Sequence, residues 1–351
     1  MNPVFPQTMH AAFLYGVRDV RLEACPVPAP TPGEVLLQIA AVGVCGSDVH
    51  YYLEGRIGSQ VVSDPIVMGH EFSGRVAALG AGVRGLEIGQ LVAVDPAIPC
   101  GECEQCLTGH PNLCPTVRFC GTPPVNGVFA EYACMPAVNC FALPETLSPV
   151  DAALLEPLGV ALHAVNLSHI KPGDTVAILG AGPIGLLTAA VARLSGAAAV
   201  WMSDPLGYRR EFARGYAADA VFDPRGQDVA AEIAQLTHGR GVDLVFEAAG
   251  APETPQQAAE IVRPGGKLIL AGIPADDRYT LRASTVRRKG LTLKLVRRMK
   301  HTYPRAIQLV YRGKVSLRPL VTHTLPLSQV GLAMELISHY QDEVIKAVIT
   351  L

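Results

Sequence analysis

The spacing of hydrophobic and polar positions changes part-way along the chain. Up to about residue 155 the apolar residues come in short alternating runs, such as Glu34–Ala41 (EVLLQIAA) and Phe72–Leu79 (FSGRVAAL), set apart by glycine and proline. A period of two turns one strand face inward, so this part reads as a β-rich, barrel-like domain of short strands. From about Glu156, strands alternate with helix-length segments. Asp174–Leu179 is a strand, a helix follows to about Ser195, and Ala198–Ser203 is the second strand; Val242–Phe246, Lys267–Ala271 and Leu291–Val296 read as the fourth, fifth and sixth. That alternation predicts a six-stranded, doubly wound parallel sheet. Residues beyond about 296, including the helix-like Leu327–His339 and the apolar Ala347–Leu351, are expected to rejoin the first domain, because the sheet is complete without them. The expected class is α/β, with one domain over 1–157 and 297–351 and a second over 158–296.

One stretch, Thr175–Met202, has Arg193 as its only charge and is long enough to cross a bilayer. Glycines at 180, 182 and 185 and the proline at 183 interrupt it, so it reads as strand, turn, buried helix and strand. The 351 residues are 49% hydrophobic and 17% charged, a globular profile long enough for two cores. A net charge of -2 offers no attraction to nucleic acid or an anionic membrane, and neither is expected as a partner. Met1–His10 has no basic segment followed by an apolar run, which predicts a cytoplasmic protein.

Nine cysteines are present. In a reducing compartment they point to metal rather than to disulfides. Cys100, Cys103, Cys106 and Cys114, spaced C-x2-C-x2-C-x7-C within a lobe spanning 96–116, sit among Gly101, Gly109, Pro111 and Pro115. Four thiols on a loop with little apolar content suit a closed tetrahedral zinc that orders the loop; an iron–sulfur cluster is the alternative.

The stretch from Cys45 to Glu71 contains a thiol, an imidazole and a carboxylate, Cys45, His70 and Glu71. Three mixed ligands are what an open, catalytic zinc uses, leaving a fourth position for water or substrate. The bland alternative is a free cysteine, a core histidine and a glutamate near one another by chance.

Gly180-Ala-Gly-Pro-Ile-Gly185 follows a strand and opens a helix, and Asp204 ends the next strand. In that setting G-x-G-x-x-G is a dinucleotide fingerprint. Gly180 makes the turn, Gly182 admits the pyrophosphate, and Gly185 lets helix meet strand, with Pro183 and Ile184 between them. Asp204 suits two ribose hydroxyls and repels a 2′-phosphate, favouring NAD; Arg209 and Arg210 nearby are the residues that suit NADP. Gly272 and Ile273, after the fifth strand, lie where a nicotinamide is expected. The cluster Arg287, Arg288, Lys289, Arg297, Arg298 and Lys300 reads as a solvated basic face, Arg298 apart.

These features, in this order, resemble the zinc-dependent medium-chain dehydrogenases, and within them the polyol branch of sorbitol and xylitol dehydrogenases. The resemblance rests on Gly43-Val-Cys-Gly-Ser-Asp-Val-His-Tyr51, Gly55-Arg-Ile-Gly58, Gly69-His-Glu71, Phe119-Cys-Gly-Thr-Pro-Pro124, Leu155-Glu-Pro-Leu158 and Val321-Thr-His-Thr324. It implies a GroES-like catalytic domain, a Rossmann cofactor domain, two zinc ions per chain, NAD, and oxidation of a polyol secondary alcohol to a ketose. It implies that Glu156 joins Cys45, His70 and Glu71 at the catalytic zinc, directly or through water, where typical alcohol dehydrogenases have a cysteine. Tyr51, Phe119, Thr122 and Arg298 match positions lining the polyol pocket, and Arg209 matches a neighbour of the cofactor adenosine. Met299, also matched to the substrate pocket, departs from the pattern, which often has there an aromatic that helps hold substrate. Ser47 and His50 have the spacing of a hydroxyl-to-histidine proton relay, the alternative for His50 being an ordinary solvent-facing side chain. Asp48 is expected to bond the second nitrogen of His70. Threonine or a simple secondary alcohol is the rival substrate, and a non-catalytic dinucleotide-binding protein the rival from another class. The family also implies a homo-oligomer, a tetramer.

Overall fold

The computed structural model describes residues 5–351. The chain divides into two compact units, one running up to Glu156 and resuming as Tyr303–Leu351, the other Pro157–Thr302. The return to the first unit falls at Tyr303 rather than at 297, so Arg298 and Met299 belong to the second. Two packing facts explain this. Gly159 lacks a side chain where the Met299 sulfur lies, which ties Met299 to the helix Leu155–Ser168. Tyr303 is buried in the first unit, its hydroxyl donating to the Val94 carbonyl at 2.5 Å and its ring stacked on Phe141 at 4.8 Å.

The first unit is built on a seven-stranded sheet. Its order is Cys140–Ala142, Leu91–Val94, Glu71–Leu79, Glu34–Gly43, Lys346–Thr350 and Val321–Pro326, with Tyr132–Pro136 also paired to Glu34–Gly43. A three-stranded sheet of Asp19–Pro26, Thr8–Gly16 and Ile66–Val67 packs with it into one core that includes Leu14, Leu37, Phe72, Phe129 and Met135. The expected helix Leu327–His339 is a 3-10 turn, Leu327–Gln329, followed by an α-helix, Val330–Ser338.

The second unit has six parallel strands in the order Ala220–Phe222, Ala199–Ser203, Thr175–Leu179, Val242–Glu247, Val262–Leu270 and Thr292–Leu295. Numbered along the chain this is 3-2-1-4-5-6, the doubly wound order whose direction reverses between the first and fourth strands. Every residue of Val242–Glu247 is buried, as a strand covered on both faces requires. Lys289, assigned to a solvated face, is half-buried instead. Its ammonium donates to the carbonyls of Ala259, Glu260 and Val262 at 2.6–3.0 Å, which satisfies the carboxyl end of the helix Thr254–Ile261. One helical run, Pro149–Ser168, is long and apolar enough to cross a membrane by length and composition, and 78% of it is buried inside the protein.

Candidate functional site

Cys45, His70 and Glu71 come together through strand register. Gly43 pairs with Glu71 across the antiparallel strands Glu34–Gly43 and Glu71–Leu79, so the residues just past Gly43 meet those that open the second strand. Cys45 then caps the helix Gly46–Glu54, and Gly69, at φ +92, turns the chain so that His70 and Glu71 face it. The ligand atoms of the three all lie within 4.8 Å of one another. His70 and Glu71 are 6% and 1% exposed.

Asp48 holds this arrangement. One oxygen accepts from the Cys45 amide at 2.9 Å; the other accepts from the Gly69 amide at 3.2 Å and lies 3.4 Å from His70 Nδ1. A carboxylate at Nδ1 favours the tautomer protonated there and leaves Nε2 for a metal. Phe119 packs against the same imidazole, ring centroids 5.2 Å apart.

Sequence reasoning missed Lys346. Its ammonium, 3% exposed, pairs with Glu71 Oε2 and donates to the Val44 carbonyl at 2.9 Å. Gly43 makes room for the pair, because a Cβ there would run into the Glu71 carboxylate and the Lys346 chain. The available signal was a single charge inside the apolar run Val344-Ile-Lys-Ala-Val-Ile349.

Glu156, expected as a fourth ligand, stands outside the three-donor cluster among the described residues. It comes from the first turn of the helix Leu155–Ser168, not from the strand edge that carries the others. It is 4% exposed, and burial, reinforced by Glu71 and opposed by His70 and Lys346, pushes its carboxyl up to about 8. His70 is held well above its usual value: burial lowers it, but Asp48 and Cys45 outweigh burial. Buried thiol, imidazole and carboxylate donors, with the Glu156 carboxyl near them, are a set that a divalent cation fits.

The four-cysteine loop is built differently. Cys103 caps the short helix Glu104–Leu107, Pro111–Leu113 forms a 3-10 turn, and Gly101 and Gly109 take φ +78 and +80. All four sulfur atoms lie within 4.8 Å of one another, with Cys100 Sγ 4.0 Å from Cys106 and 3.6 Å from Cys114. Tetrahedral zinc at its usual distance from sulfur places thiolates about 3.8 Å apart, so this set also fits the ion. The Cys114 thiol is drawn down to about 6, chiefly by the Cys100 amide pointing at it.

Ser47 and His50 lie one turn apart on the helix Gly46–Glu54, and His50 Nδ1 is 3.4 Å from Glu54 Oε1. Tyr51, on the same helix, is buried. The Thr122 amide donates to the Phe119 carbonyl at 3.1 Å, which places those two residues in one turn.

In the second unit Gly180 takes φ +102, and a Cβ on it would press within 2.9 Å of the Ala248–Ala249 peptide. Gly182 caps the helix Pro183–Leu194, with Pro183 at its first position and Ile184 next, so the loop stands at the positive end of the helix. Gly185 packs against the Gly180 carbonyl, which closes the turn. Over Gly182 a Cβ would meet nothing nearer than Arg209 at 3.6 Å, so the loop leaves the cradle a pyrophosphate fills. Asp204 accepts from the Ala181 and Leu206 amides at 2.9 Å each, and Arg209 stands 3.8 Å from it. Each carboxylate oxygen keeps a second lone pair for a ribose hydroxyl. Gly272 is crowded by Gly250 and Glu247, and Ile273 is 45% exposed. Arg298 adopts φ 53, and Met299 is buried.

A nucleotide-binding sheet and a β-rich unit with one open and one closed metal-donor set define a dehydrogenase that works with a dinucleotide and zinc. Known proteins agree. The alcohol dehydrogenase GroES-like domain family matches residues 31–145, and the zinc-binding dehydrogenase family matches 183–312. The chain is 39% identical over 349 residues to a sorbitol dehydrogenase of Bacillus subtilis, covering 99% of each chain. It is 40% identical over 316 residues to a probable D-xylulose reductase A of Aspergillus clavatus, covering 88% of each. A putative zinc-binding dehydrogenase of Sinorhizobium meliloti, solved bound to NADP, superposes with a TM-score of 0.90 at 33% identity, over 99% of this chain and 100% of that one. The chain belongs to the zinc-dependent medium-chain dehydrogenases, in their polyol dehydrogenase branch.

Proposed function

We propose that the protein oxidises a secondary hydroxyl of a polyol to a ketose, passing hydride to NAD, with Cys45, His70 and Glu71 holding the catalytic zinc and the four loop cysteines a structural one. The observation that carries this reading is the buried mixed donor set with the Glu156 carboxyl beside it. Oxygen in place of a second thiolate makes a harder site, which suits a vicinal diol better than a lone hydroxyl. The likeness to a sorbitol dehydrogenase and a D-xylulose reductase supports the same substrate class.

When bound, zinc supplies Lewis acidity that lowers the pKa of a hydroxyl it polarises. The chain's own residues do the rest. Asp48 sets the His70 tautomer. Ser47 passes the released proton to His50, whose side chain is 26% exposed and opens on solvent. Glu156, at the zinc directly or through water, also touches a substrate hydroxyl. Tyr51, Phe119 and Thr122 contact the polyol, and Arg298 keeps the substrate role that the family pattern implies. The left-handed backbone at Arg298 supports this, since strain of that kind persists where a side chain must be aimed. Met299 fills the gap at Gly159 and stands beside Arg298 as a further candidate for the substrate pocket. Asp204 selects NAD, with Arg209 lying along the adenosine. Gly272 and Ile273 bound the nicotinamide.

Nine cysteines without a disulfide support a cytoplasmic location. The edge strand Thr292–Leu295 exposes Leu293 and Leu295, at 36% and 61%, and an apolar edge of this kind supports a homo-oligomer, as the tetramer reading requires.

The test is a rate panel with sorbitol, xylitol, arabitol and galactitol, and with threonine and a simple secondary alcohol as rivals, each with NAD and NADP. At least one polyol with NAD should exceed both rivals by about tenfold or more in kcat/KM, the scale of one well-placed polar contact. A rival that turns over faster would sink the substrate assignment, and equal rates with both cofactors would sink the role of Asp204.

A further inference from the structure

Lys346 is the one charged side chain in a strand whose Ala347, Val348 and Ile349 are fully buried. A buried ion pair is seldom retained for stability alone, because apolar residues of similar size serve as well or better. What distinguishes this pair is the identity of the anion: Glu71 is one of the three donors that meet within 4.8 Å. The ammonium therefore sits on a carboxylate oxygen of a metal ligand. It also donates to the carbonyl of Val44, next in chain to the donor Cys45. Gly43 is the residue whose missing Cβ leaves space for both partners.

Taken with the reading that Cys45, His70 and Glu71 hold zinc, we propose that Lys346 is a resident counter-ion that stands in for the metal: it holds the Glu71 carboxylate in place while the site is empty, and it weakens zinc binding once the ion arrives. The first half follows from burial. A carboxylate at 1% exposure beside Cys45, Asp48 and Glu156 has no solvent to support its charge, and Lys346 is the cation that touches it. The second half follows from sign. A divalent ion and an ammonium that share one carboxylate repel each other, and little solvent lies between to screen them. Loss of Lys346 thus moves two quantities in opposite directions. The metal-free site becomes less stable, and its hold on zinc becomes tighter. A merely structural lysine does not behave this way, since its loss loosens the site and lets zinc go more easily.

The experiment starts from the zinc-loaded full chain. Zinc release is followed against increasing chelator for the wild type, Cys45→Ser and Lys346→Met, with the four-cysteine loop as internal control. The wild type should release zinc in two steps, and Cys45→Ser identifies which step belongs to the mixed site. In Lys346→Met that step should move to at least tenfold higher chelator while the loop step stays unchanged. An unmoved step, or one at lower chelator, overturns the counter-ion role and leaves the zinc site standing. A wild type with no zinc step that Cys45→Ser removes overturns the site assignment itself. Should Lys346→Met not accumulate as folded protein, the double variant Glu71→Gln/Lys346→Met, which removes both charges, is expected to fold. If the double variant fails as well, Lys346 is needed for packing rather than for charge, and the proposal falls.

Discussion

The two metal-donor sets of the first unit solve one problem in opposite ways. The cysteine loop is local: its four sulfurs come from residues 100 to 114, its glycines have open space around them, and Cys100 is exposed. The backbone bonds of that loop are short-range, such as the His110 amide to the Gln105 carbonyl at 2.7 Å, and a metal on the four sulfurs is what would tie them together. The mixed site is assembled from a strand register, a helix cap, a left-handed glycine and a lysine far along the chain, all packed into the core. There the protein shapes the donors, and the metal enters a site already built. The first kind is expected to fold with its ion, the second to fold before it.

The sharpest way to break this contrast is Cys45→Ser. It should drop the zinc content from two per chain to one and lower kcat/KM by about a thousandfold or more, as loss of several kcal/mol of charge stabilisation implies. Activity within tenfold of wild type would place the ligands elsewhere. Next in size, Cys106→Ser should release only the loop zinc. Amide protection across 96–116 should then fall by roughly a hundredfold, with turnover nearly retained, because local order there rests on the ion. If hydrogen exchange stays slow, the loop is held by something other than metal. The smallest effects come from glycine. Gly43→Ala drives a methyl into Glu71 and Lys346 and should cost about 3 kcal/mol in denaturant unfolding. Gly101→Ala, at φ +78 with nothing within 4 Å, should cost only the left-handed penalty of about 1 kcal/mol. Equal costs would mean that the mixed site is no more preshaped than the loop.

The same contrast explains what could be read from sequence. The cysteine loop was legible because its ligands are close in sequence, and the glycine fingerprint because strand, turn and helix follow one another without interruption. Cys45, His70 and Glu71 were legible as residue types, yet their meeting depends on Gly43 pairing with Glu71, a register no local pattern reveals. Lys346 was invisible for a related reason: its partner lies in a strand separated from it by the whole second unit. The third parallel strand, Ala220–Phe222, is too short to show a period. The chain's return at Tyr303 rather than 297 was hidden because it depends on packing, Met299 filling the gap at Gly159 and Tyr303 stacking on Phe141, not on any change in pattern.

The strand Lys346–Thr350 lies between Glu34–Gly43 and the edge strand Val321–Pro326, so one side of the first sheet is filled from residues translated after everything else in it. On the ribosome, Pro157–Thr302 emerges as one uninterrupted run and can complete its sheet while the first unit still waits for its last two strands. During that interval Glu71 has been made and Lys346 has not. Until Lys346 follows, Glu71 lacks the cation that pairs with it in the folded chain. The site becomes a buried one only when the late strand slides in, bringing its own cation with it.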